Sequence, residues 1–215
     1  MIAPRFRLYL AQSLDGFIAD GRGDVHWLTA YGEPEGYAAF LAETGAIVMG
    51  RKSFDQMLSF GPWPYGERRT VVLTHRPLPE SAPAAAEAWS GADVGPLARN
   101  LRTTTRGDVW LFGGGSAMGP FIDADLVDTI EIAIIPIVLG AGIRLFDPGL
   151  PTRRFELRSV EHAAGVTPFS RWLGSRRTRL RTDPHEPAPF RPVSRSWRRW
   201  RVLDQRKAPN ERAPR

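Results

Sequence analysis

Short apolar segments recur along the first two thirds of the chain, and most of them end in glycine or polar residues. Residues 6–12, 46–49, 69–73 and 108–112 have the length and apolar content of strands, and residues 129–137 form a longer β-branched run. We therefore predict five strands in this part of the chain. Several of these segments are apolar throughout, which indicates strands that are covered on both faces.

Segments with helical spacing or composition separate these strands. In the first of them Tyr37, Phe40 and Leu41 recur at three- and four-residue spacings. The predicted helices are residues 34–44, 53–58, 84–88, 94–101 and a helix that opens at 113–115 and runs through 122. Strands that alternate with helices in this way indicate βαβ units and a mostly parallel sheet with helices on both faces, an α/β fold.

The composition changes after about Trp172. Residues 175–215 contain 13 Lys and Arg but 4 acidic residues, a net charge of +9, whereas the whole chain has a formal net charge of +6 and residues 1–174 are mildly acidic. We predict a folded domain at 1–174 and a disordered Arg/Pro-rich tail at 175–215. The tail is either a basic arm for nucleic acid or acidic lipid, or a solvated extension, and we favour the extension.

Several classes of protein are excluded by what the sequence lacks. The chain has no cysteine, so disulfides, thiol catalysis and cysteine metal sites are ruled out, and its four histidines show no metal-binding spacing. It has neither an apolar run of transmembrane length nor a signal-peptide pattern at its start. A cytoplasmic protein that does not enter membranes is the resulting expectation.

Three segments at predicted strand ends are candidates for ligand chemistry. Gly50, Arg51, Lys52 and Ser53 lie where a strand passes into a helix, a place that suits phosphate, although Ser53 could also simply cap the helix. Thr74, His75 and Arg76 follow the next strand and could bind a 2′-phosphate or form an ordinary polar turn. The third segment is a glycine-rich turn, Gly113, Gly114, Gly115, Ser116 and Ala117.

The glycine-rich turn suits a backbone that lies directly against a ligand, although a flexible turn is the alternative. It is not a GxGxxG motif, and the chain has no GxxxxGK[ST] or GxSxG motif, which disfavours Rossmann dehydrogenases, P-loop NTPases and α/β-hydrolases. All three segments follow strands, and parallel sheets bind ligands at the carboxyl ends of their strands. We therefore expect the three segments to converge on one ligand.

Six motifs in order give the chain a resemblance to a known family. They are SLDGFIA at 13–19, GDVHW at 23–27, VMGRKS at 48–53, VLT at 72–74, FGGGS at 112–116 and IPIVLGAG at 135–142 followed by Leu145 and Phe146. In these motifs the chain resembles the dihydrofolate reductase superfamily, and within it the branch of the RibD C-terminal domain. The resemblance covers about residues 5–160.

The resemblance implies a three-layer α/β/α domain with an antiparallel C-terminal edge, and NADPH as the cofactor. By position, Ala11, Ile18 and Ala19 would line the nicotinamide, Gly50–Ser53 would hold phosphates and Thr74–Arg76 would face the 2′-phosphate. Gly113–Ala117 would contact the pyrophosphate and nicotinamide side, with a cis bond between Gly113 and Gly114. The family also ends in an antiparallel strand pair, here 155–162 and a second strand near 165–172, which contains Pro168 and is expected to be short, distorted or replaced.

The residue that supplies a proton stays open at this point. Dihydrofolate reductases use a carboxylate on the first helix, and the matching region here offers Glu33 and Glu35, which could equally be favourable helix N-terminal charges. Asp15 is a further candidate, although an Asp-Gly turn needs no catalytic role. Trp27 would sit in the loop that closes over the substrate or pack on the core, and His26 would be a proton relay or an exposed loop residue.

These expectations give a main hypothesis and two rivals. The main one is an NADPH-dependent reductase that transfers a hydride to a small pyrimidine- or pterin-type heterocycle, in a homodimer as in similar proteins. The first rival is a non-catalytic reductase-like fold whose tail binds nucleic acid or another polyanion. The second assigns the phosphoribosylaminouracil reductase step of riboflavin biosynthesis, with the zinc deaminase on a separate protein.

Overall fold

The structure, a computed structural model, describes residues 3–34, 36–146, 148, 152–163 and 166–174. The predicted tail at 175–215, and with it the predicted domain boundary, lies outside these residues. The strands are β1 (Phe6–Ser13), β2 (Phe17–Ala19), β3 (Thr44–Gly50), β4 (Arg69–Leu73), β5 (Ala86–Trp89), β6 (Asp108–Phe112), β7 (Thr129–Ile135), β8 (Ile143–Arg144), β9 (Phe155–Ala163) and β10 (Val166–Gly174). The helices are α1 (Tyr37–Glu43), α2 (Arg51–Ser59), α3 (Val94–Thr104) and α4 (Gly115–Asp123), with a 3-10 helix at His26–Tyr31.

Eight of these strands form one sheet in the order β5-β4-β3-β6-β1-β7-β10-β9. All neighbours from β5 to β7 are parallel, whereas β10 runs antiparallel to both β7 and β9. The small strands β2 and β8 pair with each other outside this sheet. The predicted α/β class, with a mostly parallel sheet and an antiparallel C-terminal edge, is confirmed.

Helices cover both faces of the parallel part of the sheet. On one face α3 and α4 bury Leu101 and Phe121, and on the other α1 and α2 bury Phe40 and Phe54. Consecutive residues of a strand point to opposite faces, so β1, β3, β4 and β6 each contribute side chains to both cores. This double burial explains why the strands are apolar throughout, and it confirms the three-layer architecture.

The helix predicted over residues 84–88 is wrong, because this segment begins strand β5. Ala86 pairs with Thr70 and Trp89 pairs with Leu73 of β4. The backbone N–H of Thr74 also donates to the carbonyl of Trp89 at 2.9 Å. Alanine has the highest intrinsic helix propensity, but such propensities are small, and pairing with the open edge of β4 outweighs this local preference.

The C-terminal edge is longer than the sequence suggested. Strand β10 spans nine residues and pairs along its length with β9, so a short or replaced strand is not what forms. The expected distortion is confirmed, since the register shifts between Val166 and Phe169 and again between Arg171 and Trp172. Pro168 falls inside the first of these shifts, where the ladder does not require its missing N–H.

Candidate functional site

The three candidate segments follow β3, β4 and β6, which are neighbours in the sheet. Because these strands are parallel, their carboxyl ends lie at one edge, and a cleft of about 1660 Å³ opens there. Residues from all three segments line this cleft, as the sequence predicted. A typical small-molecule site has a volume of roughly 300–1,000 Å³. The cleft therefore has room for a dinucleotide beside a second ring.

The corner after β3 leaves the start of a helix uncapped. Gly50 is the N-cap residue of α2, and no side chain accepts a hydrogen bond from the first turn of this helix. Capping by Ser53, the alternative raised from the sequence, is therefore wrong, because Ser53 lies inside the first turn. Free N–H groups and the positive end of the helix dipole both favour an anion. All four residues from Gly50 to Ser53 line the cleft.

The glycine-rich turn after β6 starts a second uncapped helix. Helix α4 begins after Gly114 and, like α2, has no side-chain cap. Gly113 has a φ of +130°, a conformation that favours glycine. The bond between Gly113 and Gly114 is trans, so the expected cis bond is wrong; the positive φ of Gly113 makes the turn instead.

This turn packs tightly against its surroundings. A Cβ added at Gly113 would lie 3.0 Å from Ser53 Oγ, and one added at Gly114 would lie 3.0 Å from Ile18 Cδ1. Of the predicted residues in this turn, Gly113, Gly114, Ser116 and Ala117 line the cleft, whereas Gly115 is buried and is not among the lining residues. The two uncapped helix starts thus lie side by side along the cleft.

Basic side chains lie close together at the carboxyl ends of β3 and β4. Arg51 donates from Nε to Asp55 at 2.7 Å and from a terminal nitrogen to the carbonyl of Pro77 at 2.8 Å. Arg76 lies 3.6 Å from the other oxygen of Asp55, and its side chain is 67% exposed. Asp55 therefore holds both guanidinium groups at the mouth of the cleft. Because the two arginines and Lys52 outnumber this one carboxylate, the net charge of the group is positive.

The turn after β4 combines a structural residue with exposed polar ones. The buried Thr74 hydroxyl accepts from the backbone N–H of Arg76 at 3.0 Å, which is the geometry of an ordinary polar turn. Thr74 and His75 line the cleft, whereas Arg76 is exposed beside it. The turn alternative is thus part of the structure, and the side chains of His75 and Arg76 remain exposed in it.

Small side chains lie at the far end of the cofactor segments. Ala11 on β1 pairs with Ala133 on β7, and both line the cleft. Ile18 and Ala19, which belong to β2, complete this part of the wall. Small residues at the strand ends leave space for a flat ring, which is where the resemblance would put the nicotinamide.

Beyond these residues the cleft has a wall of aromatic side chains that the sequence analysis missed as site residues. This aromatic wall consists of Tyr9, Tyr37, Tyr65, Trp110 and Phe112. The Trp110 ring lies at its centre, edge-on to Tyr37, Tyr65 and Phe112 at centroid distances of 6.1, 5.4 and 4.8 Å. The pattern of apolar residues in β1 and β6 is the same for a strand that faces a cleft and for one that faces a closed core, so it did not identify these residues.

The two carboxylate candidates that the structure describes, Asp15 and Glu33, do not belong to the aromatic wall, although the Glu33 charge acts on Tyr37, where burial first and then this carboxylate raise the pKa. Asp15 does not line the cleft; it accepts hydrogen bonds from the Ser13 hydroxyl and from the N–H groups of Leu139 and Gly140, which lowers its pKa to about 2. Glu33 lines the cleft from the exposed loop before α1, and Glu35 lies outside the described residues. The residue that α1 itself presents to the cleft is Tyr37. The catalytic roles of the three acids stay predictions.

The positions of two tryptophans relative to the cleft differ from the expectations drawn from the sequence. Trp27 lies in the 3-10 helix; its neighbours His26 and Leu28 line the cleft, but Trp27 is not among the lining residues, so its role at the substrate stays a prediction. The side chain of His26 is 76% exposed. Trp89, at the end of β5, does line the cleft and was missed because its segment was predicted as a helix.

Among the described residues no cluster of three or more histidine or acidic side chains has metal-binding geometry. None of their helices is long and apolar enough to cross a bilayer.

The parallel sheet, the antiparallel edge and the glycine-lined cleft define a protein of the dihydrofolate-reductase-like fold class. A dihydrofolate reductase from Enterococcus faecalis, solved as a complex with NADP(H), superposes with a TM-score of 0.58 over 80% of this chain and 97% of its own, at 17% identity. At this identity the similarity concerns the fold alone.

The chain belongs to the RibD C-terminal domain family, whose model matches residues 63–167. The uncharacterized protein YyaP of Bacillus subtilis is 33% identical over 154 residues, which are 66% of this chain and 80% of that protein. A Shewanella protein provisionally assigned to riboflavin biosynthesis has a TM-score of 0.73 and 26% identity, over 81% of this chain and all of its own. Membership of the RibD C-terminal domain family supports a reductase-type function.

Proposed function

We propose that the protein is an NADPH-dependent reductase that transfers a hydride to a small pyrimidine- or pterin-type heterocycle. The observation that carries this proposal is the convergence of two uncapped helix starts and a cationic corner on one cleft. A dinucleotide has a pyrophosphate that needs backbone N–H groups, and NADPH has a further phosphate that needs cations. Both requirements are met by residues of the described chain.

Each part of the cofactor has a set of candidate partners in this chain. The first turns of α2 and α4, with Ser53 and Ser116, would hold the pyrophosphate. Arg51, His75 and Arg76 would contact the 2′-phosphate. The close fit of Gly113 against Ser53 supports this arrangement, because any larger residue would fill the space beside the phosphates.

The bound cofactor would supply the hydride, and the protein would bind and orient both reactants. Ala11, Ala19 and Ala133 would accept the nicotinamide ring, and the aromatic wall would accept the flat ring of the substrate. Aromatic walls also keep water away from the reacting atoms, which favours hydride transfer over side reactions.

Titration of the purified protein with NADPH and with NADH tests this function. Trp89 and Trp110 line the cleft, so bound cofactor should quench tryptophan fluorescence. A charged hydrogen bond contributes about 1.5–3 kcal/mol, so NADPH should bind at least tenfold more tightly than NADH. Arg76→Met should narrow that ratio, whereas the exposed Arg106→Met should not. Equal or absent responses to both dinucleotides would contradict the proposal.

The family suggests a setting for this activity. The Shewanella neighbour bears an assignment to riboflavin biosynthesis, so we include the reductase step of that pathway among the reactions to be screened. A cytoplasmic homodimer belongs to the same proposal. NADPH oxidation in the presence of aminouracils, pterins and quinones would identify the substrate group, and sedimentation would give the oligomeric state.

A further inference from the structure

Two side chains of the aromatic wall come from segments outside the sheet, and one arginine holds these segments together. We propose that Arg68 is a positioning residue, which fixes the spacing between α1 and the loop before β4 and thereby the fit of a flat substrate ring against the wall. Arg68 itself is not among the residues that line the cleft. The inference rests on the proposed function, because it takes the aromatic wall as the substrate side of the cleft.

The sheet itself fixes the centre of the aromatic wall. Trp110 belongs to β6, and its indole N–H donates to the backbone carbonyl of Tyr9 on the neighbouring strand β1 at 3.0 Å. Tyr37 and Tyr65 are both edge-on to the Trp110 ring, but Tyr37 begins α1 and Tyr65 lies in the loop between α2 and β4. The positions of these two rings therefore depend on how α1 and the loop are held.

The guanidinium group of Arg68 donates hydrogen bonds to both segments. Its Nη1 donates to the backbone carbonyl of Tyr65 at 3.1 Å, and its Nη2 donates to the carbonyl of Leu41 at 3.0 Å. Its Nε donates to the carbonyl of Thr44 at 3.1 Å. Leu41 lies one turn after Tyr37 in α1, and Thr44 is the C-cap residue of this helix. One rigid, planar group thus sets the distance between the end of α1 and the backbone of Tyr65.

The carbonyl groups at the end of α1 suit a cationic donor. The last carbonyls of a helix lack partners within the helix, and they lie at the negative end of its dipole. At the other end of α1, Gly36 is the N-cap residue, and no side chain accepts a hydrogen bond from the first turn. Because Tyr37 belongs to this uncapped first turn, its position depends on the anchoring that Arg68 gives to the end of the helix.

The next residue, Arg69, has a different set of partners. Its side chain donates to Glu87 of β5 at 2.6 Å and to Thr104 of α3 at 2.8 Å. Arg69, Glu87 and Thr104 are not among the residues that line the cleft. Both arginines are half-buried, but Arg69 joins β4 to β5 and α3, whereas Arg68 joins the segments that carry two rings of the aromatic wall. The pair therefore allows positioning to be separated from general stabilisation.

Pterin, a flat fluorescent heterocycle of the proposed substrate class, is the probe for the aromatic wall. Arg68→Met removes the common anchor of α1 and the loop, so we expect pterin to bind about fivefold more weakly, which is the cost of immobilising one side chain on binding. Arg68→Lys keeps the charge but offers one nitrogen in place of a fork, so its loss should be smaller. The NADPH dissociation constant should stay within about twofold in both variants, because Arg68 lies outside the segments Gly50–Ser53 and Gly113–Ala117.

Arg69→Lys is the matched control, and it should leave pterin binding within about twofold of the wild type. Urea denaturation checks the fold of every variant, and Arg68→Lys carries the test if Arg68→Met does not fold. Near-ultraviolet circular dichroism should weaken in the Arg68 variants alone, because rings without a fixed orientation lose this signal.

Four results overturn the proposal. They are a wild-type protein that does not bind pterin, folded Arg68 variants that bind it as the wild type does, an equal loss in Arg69→Lys, and a parallel loss of pterin and NADPH binding. If pterin binding depends on Arg68 while the wild-type protein fails to bind NADPH, the positioning role stands and the reductase function falls.

Discussion

The two ends of the parallel sheet differ in whether their polar groups have partners within the protein. At the amino ends Arg7 donates two hydrogen bonds to Glu131, at 2.8 and 2.9 Å, and both side chains are 5% exposed. Arg7 also contacts Glu43 and Asp108, and Asp108 accepts further hydrogen bonds from Arg5. We call these five residues the ionic cluster. Each of its charged side chains has a partner of opposite charge within the protein.

At the carboxyl ends the backbone N–H groups that open two helices lack such internal partners. Helices α2 and α4 start at glycines with no side-chain cap, whereas α3 is capped by Asp93 through a 2.8 Å hydrogen bond from Gly95. The omission of caps at α2 and α4 leaves N–H groups for a ligand to satisfy.

The contrast separates stability from function along one sheet. The amino end, with its paired charges, should determine how well the domain folds, and the carboxyl end should determine what it binds. Active sites commonly depart from the local rules that stabilise a fold. Changes at the two ends should therefore have separable effects, which can be measured.

The largest effect is expected from Arg7→Met in the ionic cluster. This change leaves the buried Glu131 without its bidentate partner, and removal of one member of a buried ion pair costs about 3–5 kcal/mol. Urea denaturation would measure the loss in the free energy of unfolding, with the exposed Arg106→Met as the control. A loss below about 1 kcal/mol would mean that the pair behaves like a surface salt bridge.

A second, smaller effect is expected from Gly113→Ala at the carboxyl end. Gly61 is its matched control, because its φ of +125° resembles the +130° of Gly113, yet a Cβ there would meet nothing within 4 Å. Both changes should lower the free energy of unfolding by roughly 1–3 kcal/mol through backbone strain. The NADPH dissociation constant should rise by about tenfold in Gly113→Ala alone. A rise of equal size in the NADPH dissociation constant of Gly61→Ala would contradict a phosphate-binding role for the turn.

The sequence was sufficient where a local signal and the final structure agree. Residues 69–73 and 108–112 were predicted as strands, and β4 and β6 have these bounds. Both are apolar segments bounded by polar or glycine residues, so burial and local propensity favour the same structure. The convergence of the three strand-end segments followed from the parallel order of β3, β4 and β6, which the alternation of strands and helices predicts.

The sequence was insufficient where a pairing or a wall depends on distant residues. Strand β2 pairs with Ile143 and Arg144, more than a hundred residues away, and neither segment has a strand pattern of its own. The aromatic wall combines residues of β1, α1, β6 and the loop after α2. Trp110 in particular has the environment of a core residue, at 3% exposure, so its sequence context could not distinguish a core from a cleft.

The smallest effect on stability is expected at Asp15, a charged residue at the carboxyl end of the sheet whose hydrogen bonds stabilise the fold. The Ser13 hydroxyl and two backbone N–H groups lower the pKa of Asp15 from 3.8 to about 2. Because the folded-state pKa is the lower one, Asp15 stabilises the fold above pH 3.8, and this contribution disappears as the pH falls toward 2. Asp15→Asn should therefore unfold at a lower urea concentration than the wild type at neutral pH, and the difference should shrink in acid. The exposed Asp123→Asn should show no such difference, and a gap that stays constant with pH would mean that the carboxylate charge is not what holds the loop at Leu139 and Gly140.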